Sequence, residues 1–351
     1  MSQKIKITRI EKSKIQDVDF NNFSFGSVFT DHMFECDFID GKWVNPTIKP
    51  YQPISIEPSA SVLHYGQAIF EGMKAYKDKN DEVWLFRPDQ NFERINKSAV
   101  RMAIPEFPEE LFYEALIKLV NIDRDWVKYG EGRSMYIRPF VIGNEYAIQA
   151  VPSKNYKFMI ICAPATLYYT KKLKVLVADK YSRAASGGVG YAKAAGNYAG
   201  QFYPTNLAKE QGFDQVVWTD SNEHCYLEEA GTMNIFFRIN DTLITAPTTD
   251  TILDGVTRKS IIQIARDNRI DVEIKKLKVE ELKNAAKNGS LKEIFGTGTA
   301  AIVSQINAFQ HNGELFELDE LDNSYAEKLK SNLVGIQTNQ LEDHHGWRYK
   351  V

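Results

Sequence analysis

Strand-like and helix-like segments interleave through both halves of the chain, which predicts a two-domain protein of mixed α+β or α/β class. Two further observations support this. The 351 residues, 43% of them apolar, exceed what one ordinary core absorbs. A stretch without sustained apolar period, 168–174, separates two regions of different pattern, so the expected division is a small N-terminal α/β domain over 1–168, a linker over 169–180 and a large C-terminal domain over 181–351.

Each element has its own signal. In the first half, 83–88 ("VWLFRP") reads as a strand, and the apolar spacing after it reads as a helix stopped by Pro105. Leu111, Ala115, Leu119 and Ile122 then mark one face of a long helix from Glu109 to about Tyr129. "SMYIRPFVIG" and "KFMIICAP" are strands by their β-branched and aromatic content. The second half opens with the strand "KVLVAD", a glycine-rich stretch and a helix from about Gly196 to Gln211. The strand "QVVWTD" follows, then a hairpin turning at Asn240-Asp241 and a helix starting near Gly255. A helix over "VEELKNAAKNG" and a strand, glycine turn and strand over "EIFGTGTAAIVSQI" complete the pattern.

Composition narrows the function. A net charge of -3 from 43 basic and 46 acidic residues, well mixed, points away from nucleic acid and anionic membranes and toward a small neutral or zwitterionic ligand. No apolar run reaches the ~18 residues of a membrane span, and the N-terminal stretch has no apolar signal region, so the cytoplasm is the expected compartment. Cys36, Cys162 and Cys225 form no CxxC pair and read as reduced and structural. The six histidines show no ligand spacing, so no metal is expected.

Four stretches carry chemistry. In "GGVGYAKAAGNYAG", Lys193 lies among the smallest residues, and withdrawing a lysine from water favours the neutral, nucleophilic amine. The stretch lacks the third glycine of a dinucleotide fingerprint, and the chain has no phosphate-loop motif. In "YLEEAGTMNIFF", alternation turns Glu228 and Glu229 to opposite faces, one inward and one to solvent, and an inward carboxylate needs a cationic partner. The helix start after Asp254-Gly255, at Val256 and Thr257, offers free backbone N–H groups to a phosphate. "FGTGTAA" offers Gly296, Thr297, Gly298 and Thr299 as a second anion-gripping loop. A lysine for an aldehyde, an acid for a ring nitrogen and a helix start for a phosphate together match pyridoxal 5'-phosphate.

The ordered motifs "HYGQAIFEGMKAYK", "LFRPDQNFERINKSAVRM", "YIRPFVIGNE", "KAAGNYAG", "EAGTMNIFF", "LDGVTR" and "FGTGTAA" resemble the branched-chain amino acid aminotransferases, fold-type IV pyridoxal-phosphate enzymes of the D-amino acid aminotransferase-like class. The resemblance runs from about residue 25 to the C-terminus. It implies that Lys193 is the Schiff-base lysine and proton carrier, that Tyr198 bonds the ring oxygen, and that Glu229 meets the ring nitrogen. It further implies a phosphate cup of Arg94, Gly255, Val256, Thr257 and Thr299, with Leu253 against the ring. The residues themselves leave Arg94 open, since an arginine in the first turns of an amphipathic helix is usually solvated.

The implied substrate pocket is Tyr65, Phe70, Tyr136, Arg138, Tyr168, Thr232, Thr299 and Ala300, with Ala150 supplied by the second subunit of a homodimer. The expected reaction is ping-pong amino transfer between leucine, isoleucine or valine and 2-oxoglutarate. The alternatives are a D-amino acid aminotransferase, an aminodeoxychorismate lyase of the same fold, or a non-catalytic cofactor-binding protein. Ala301-Ile302-Val303-Ser304 stands where some family members carry a redox CxxC, which removes thiol control from the expectation.

Overall fold

The computed structural model describes residues 4–169 and 171–351; Met1–Gln3 and Thr170, the latter inside the expected linker, lie outside the described residues. The chain divides into two compact units: residues up to 168 with 192–196 and 336–351, and residues 169–191 with 197–335. Leu173–Val177, inside the expected linker, is a strand of the second unit's sheet, because its apolar side chains are buried there.

The first unit is built on a nine-stranded sheet. Its path runs Lys6–Ile7, Lys42–Pro50, His32–Ile39, Tyr156–Ala165, Ser134–Gly143, Met73–Lys77, Val83–Phe86 and Arg348–Lys350, with Ala68–Phe70 also paired to Ser134–Gly143. Period-two alternation gives the sheet two characters. Met73, Ala75, Met135 and Ile137 join the core with Ile95, Ala99, Leu111 and Leu116 of the helices Pro88–Arg101 and Glu109–Ile122. Lys74, Tyr136 and Arg138 alternate with those core residues, so the opposite face receives charge and aromatic rings. The second helix ends at Ile122, short of the expected Tyr129. Asp123 is drawn out of the helical pattern by His32, whose Nδ1 lies 2.6 Å from its carboxylate and whose amide donates to it, and a 3-10 turn over Arg124–Trp126 follows.

Residues 192–196 belong to this unit through backbone pairing. Ala194 bridges Ile69, the Phe70 amide donates to the Lys193 carbonyl at 3.0 Å, and the Ala195 amide donates to the Ala68 carbonyl at 3.0 Å. The lysine is thus held against the strand Ala68–Phe70 by these backbone contacts rather than on a free glycine loop.

The second unit has a ten-stranded sheet. Met233–Ile239, Leu291–Gly298, Ile302–His311, Leu173–Val177, Gln215–Thr219 and Tyr226–Ala230 follow one another, and a further pairing of Tyr226–Ala230 with Met233–Ile239 closes these six into a ring. Closure leaves no open edge among them. Val175, Val217, Leu227, Ile235, Phe237, Ile294 and Phe309 are among the apolar side chains that pack into the unit's core.

Three expectations change here. The helix expected over 196–211 is two pieces, Gly196–Ala199 and Phe202–Glu210, because Pro204 has no N–H and its ring crowds the carbonyl four residues back. Gly296, Thr297 and Gly298 lie on the strand Leu291–Gly298, the first two paired with both neighbouring strands and Gly298 with Ile302, so only the turn after Gly298 remains as a loop. Glu228 and Glu229 are both buried, at 9% and 3% exposure, because the turn at 249–253 covers them where solvent was expected.

Candidate active site

In the first unit the helix Pro88–Arg101 turns Asn91, Arg94 and Ser98 to its buried side, a polar stripe at helical spacing. The stripe is occupied residue by residue. Arg94 donates from Nε and Nη2 to the two oxygens of Glu71 at 2.6 and 2.9 Å, and Asn91 Nδ2 donates to the same carboxylate at 2.7 Å. Ser98 Oγ accepts from the Lys193 amide at 2.9 Å. Arg94 is therefore a buried ion-pair partner, where an exposed, solvated arginine was the plain reading of its position. Burial alone would raise the Glu71 carboxyl, but the charge and hydrogen bonds of Arg94, with Lys193 and Asn91, hold it below the ordinary carboxylate range.

Lys193 is the centre of this set. Its ammonium lies 4.7 Å from the centroid of the Phe70 ring. Burial, reinforced by the charge of Arg94 and opposed by that of Glu71, brings the amine from its ordinary value down to about 8. At that value about a fifth of the amine is neutral near pH 7.4, against less than about a hundredth at the ordinary lysine value, and nucleophilic attack on a carbonyl requires the neutral form. Arg138 stacks over Phe70 at 4.6 Å and donates to the Tyr136 hydroxyl at 2.8 Å, while its Nε is buried without a hydrogen-bond partner. Gly72 is needed beside it, since a Cβ there would overlap the Tyr136 hydroxyl.

Of the remaining expected residues in this unit, Tyr65 ends the short helix Ser61–Tyr65 and is exposed, as is Ala150. Tyr168 meets Phe25, whose ring also stands edge-on to Tyr136 at 5.0 Å. Sequence reasoning missed Phe25, Glu71, Asn91 and Ser98. The polar stripe on an otherwise amphipathic helix was the signal that could have found the last two.

In the second unit Glu229 accepts from Asn234 Nδ2 at 3.0 Å and from the Leu253 amide at 2.8 Å, and pairs with Arg183 Nε at 2.8 Å. Glu228 accepts from the Thr251 hydroxyl at 2.7 Å; burial raises its carboxyl, with Thr251 and Arg183 pulling the other way. Asn234 Nδ2 also donates to the Leu253 carbonyl, tying the strand to the turn before the helix Val256–Asp267. That helix begins at Gly255 with no side-chain cap, and Val256 and Thr257 in its first turn are buried. Gly255 fits because a Cβ would overlap the Asn234 side-chain oxygen. Tyr198 lies in the short helix Gly196–Ala199, exposed Thr232 in the turn between Tyr226–Ala230 and Met233–Ile239, and Thr299 and Ala300 in the turn after Gly298. Arg183 carried no expectation, because its partner is distant in sequence. Among the described residues no group of acids, histidines and cysteines is placed to hold a metal ion.

The model of the amino-transferase class IV family matches residues 68–309. The chain is 45% identical to a probable branched-chain-amino-acid aminotransferase of Staphylococcus epidermidis, over 100% of this chain and 99% of that one. It is 42% identical to branched-chain-amino-acid aminotransferase 2 of Bacillus subtilis, over 99% and 96% of the two chains. Among solved structures it is similar to the branched-chain aminotransferase of the thermophilic archaeon Thermoproteus uzoniensis with norvaline, with a TM-score of 0.75 at 23% identity over 91% of this chain and 99% of that one.

Proposed function

From the premise that this chain belongs to the class IV amino-transferases, we propose that it transfers the amino group of L-leucine, L-isoleucine or L-valine to 2-oxoglutarate, reversibly, using pyridoxal 5'-phosphate. The observation that carries the reading is Lys193: a half-buried amine brought down to about 8 among Phe70, Arg94 and Arg138. The residues suit the cofactor. In the first unit three cations, Lys193, Arg94 and Arg138, are set against the buried carboxylate Glu71, an excess that favours an anion, and Arg138 Nε is buried without a partner. In the second, the start of Val256–Asp267 lacks a side-chain cap and keeps first-turn N–H groups for phosphate oxygens.

Lys193 would join the aldehyde, with Arg94, Gly255, Val256, Thr257 and Thr299 holding the phosphate, Tyr198 the ring oxygen, Leu253 the ring face and Glu229 the proton on the ring nitrogen. When bound, the cofactor supplies an electron-withdrawing ring that absorbs the charge left at the substrate α-carbon. The chain's own residues supply the rest. The neutral Lys193 amine removes the α-proton and returns it at the adjacent position. Phe70, Tyr136 and Tyr65, with Tyr168, form apolar walls for a branched aliphatic side chain, and Phe25 supports Tyr136 and Tyr168. The Thr299 and Ala300 amides and the Thr232 hydroxyl orient the α-carboxylate, and Arg138 meets the second carboxylate of 2-oxoglutarate. Ala150, exposed in this chain, would border the site of the partner in a homodimer. The cytoplasm is the proposed compartment; among the described residues no helix is long and apolar enough to cross a membrane.

Steady-state transamination of L-leucine with 2-oxoglutarate tests the reading. Turnover with D-alanine, or pyruvate released from aminodeoxychorismate, would replace it with one of the two catalytic alternatives. Cofactor binding without turnover of any of these would leave the non-catalytic one.

A further inference from the structure

Arg183 precedes Lys193 by ten residues, and its side chain is 4% exposed. Nε faces Glu229 Oε2 at 2.8 Å, while Nη2 donates to the backbone carbonyls of Gly190 at 2.9 Å and Thr251 at 2.6 Å. The other Glu229 oxygen is held by Asn234 and the Leu253 amide. The other charges nearby have hydrogen-bond or ion-pair partners of their own, although Glu228 also feels Arg183 and Arg258 also feels Glu229. Glu228 is engaged with Thr251, Arg258 with Thr245 and the Ala246 carbonyl, and Asp254 with Lys259. Arg183 is thus the cation paired directly with Glu229. It also fixes the glycine-rich run ahead of the lysine, where Asp250 accepts from the Gly187 amide and the Ser186 hydroxyl. The packing there is tight, since a Cβ on Gly190 would come within 2.8 Å of the Thr251 backbone.

A proton shared between a carboxylate and a ring nitrogen in a dry setting goes to whichever site its neighbours favour. A cation on the carboxylate favours the ionised acid, and so leaves the proton on the ring. We infer that Arg183 is a positioning residue of the transamination site, keeping Glu229 ionised so that the ring nitrogen retains its proton, and pinning the Gly187–Gly190 segment that leads to Lys193. The inference rests on the role proposed above for Glu229.

The test loads the parent, R183Q and R183K with pyridoxal phosphate labelled with 15N in the ring. It compares the ring-nitrogen resonance, the single-turnover rate with leucine, the KM for leucine, bound cofactor per chain and the melting midpoint. In R183Q the resonance is expected to move toward the unprotonated position and the leucine rate to fall about tenfold or more, with KM changed less than about threefold and cofactor still bound. R183K keeps the charge and is expected to restore the protonated resonance and at least about a third of the rate. R183M serves as the neutral variant if R183Q does not fold. A neutral variant that keeps both the protonated resonance and a rate within about twofold of the parent overturns the inference. So does one that loses only stability or cofactor while its loaded fraction stays protonated, which would make Arg183 a structural staple. A parent that binds cofactor on Lys193 but does not react with leucine overturns the transaminase reading itself, and this inference with it.

Discussion

In the first unit Lys193, Arg94 and Arg138 are gathered with one buried carboxylate, Glu71, whereas in the second the buried carboxylates Glu228 and Glu229 are met by Arg183, two hydroxyl or amide side chains and a backbone N–H. The first arrangement is buried, which lowers the lysine most, and has positive charge in excess, which lowers it further and favours an anion. The second sets two carboxylates against one cation and makes up the difference with neutral hydrogen-bond donors, which suits a group that must hold a proton in place. Buried charge is costly in either case, and hydrogen-bond partners decide whether it is tolerated. The difference teaches that the nucleophile is made by burial beside an excess of cations, and the proton holder by a carboxylate fixed between one cation and neutral donors.

Removing the nucleophile strains the comparison most. Lys193→Ala is expected to lower leucine transamination by about 10⁴-fold, the upper end for a residue that moves a proton, read in steady state. A variant with more than a tenth of parental turnover would remove the lysine from the chemistry. Borohydride reduction and peptide mapping of the parent should place the pyridoxyl label on residue 193.

Glu71→Gln tests the unbalanced side. It leaves Arg94 buried without its ion-pair partner, a change that costs about 3 kcal/mol or more, measured as the urea stability of the apo-protein. The same variant carries a pH prediction. Lys193 in the parent is neutral above about 8, so capture of pyridoxal phosphate by apo-protein should rise with pH to a plateau above that point. Glu71 raises the amine, so its loss should move the midpoint lower; an unmoved midpoint would mean that burial alone sets the lysine. The stability linkage has a definite sign. The native lysine sheds its proton at lower pH than the unfolded one, so the unfolded state binds more protons between about 8 and the ordinary lysine value, and this group's contribution to stability grows with pH across that window.

Glu229→Gln probes the second arrangement. Cofactor should remain bound while turnover falls by about 10²-fold, because the amide cannot keep a proton on the ring nitrogen. Unchanged turnover would assign Glu229 to packing alone.

Gly72→Ala is a smaller change. The added methyl displaces the Tyr136 hydroxyl and with it the Arg138 hydrogen bond, an overpacking cost of about 1–3 kcal/mol that should raise the KM for leucine more than it lowers the maximal rate. The smallest expected effect is that of peroxide. Burial pushes the Cys36 thiol up to about 12 and Cys162 well above its ordinary value, and burial with Asp220 and Glu223 raises Cys225. Activity after mild peroxide treatment should stay near the untreated level, and a reversible loss would show a thiol switch.

Local features were legible in the sequence. The strand Ser134–Gly143, the turn at Asn240-Asp241 and the helix start at Val256 follow from residue type and spacing over a few positions. The lysine was legible because small neighbours on both sides are themselves local. The stop at Ile122 was not, since Asp123 leaves the helix for His32, far back in the chain. The burial of Glu228 escaped for the same reason: alternation describes a strand, and the turn that covers it comes from elsewhere.

By itself the amino-acid order determined which segments are helix or strand, which family the motifs resemble, and which residues have the chemistry for an aldehyde, a phosphate and a ring nitrogen, because those properties belong to single residues and their near neighbours. Only the tertiary structure decided that Arg94 pairs with Glu71, that Arg183 pairs with Glu229, and that the segment carrying Lys193 joins the sheet edge at Ala68–Phe70. Those pairings span 23 to 127 positions along the chain, and folding alone brings such distant partners within hydrogen-bond reach, where burial and charge set what each group can do.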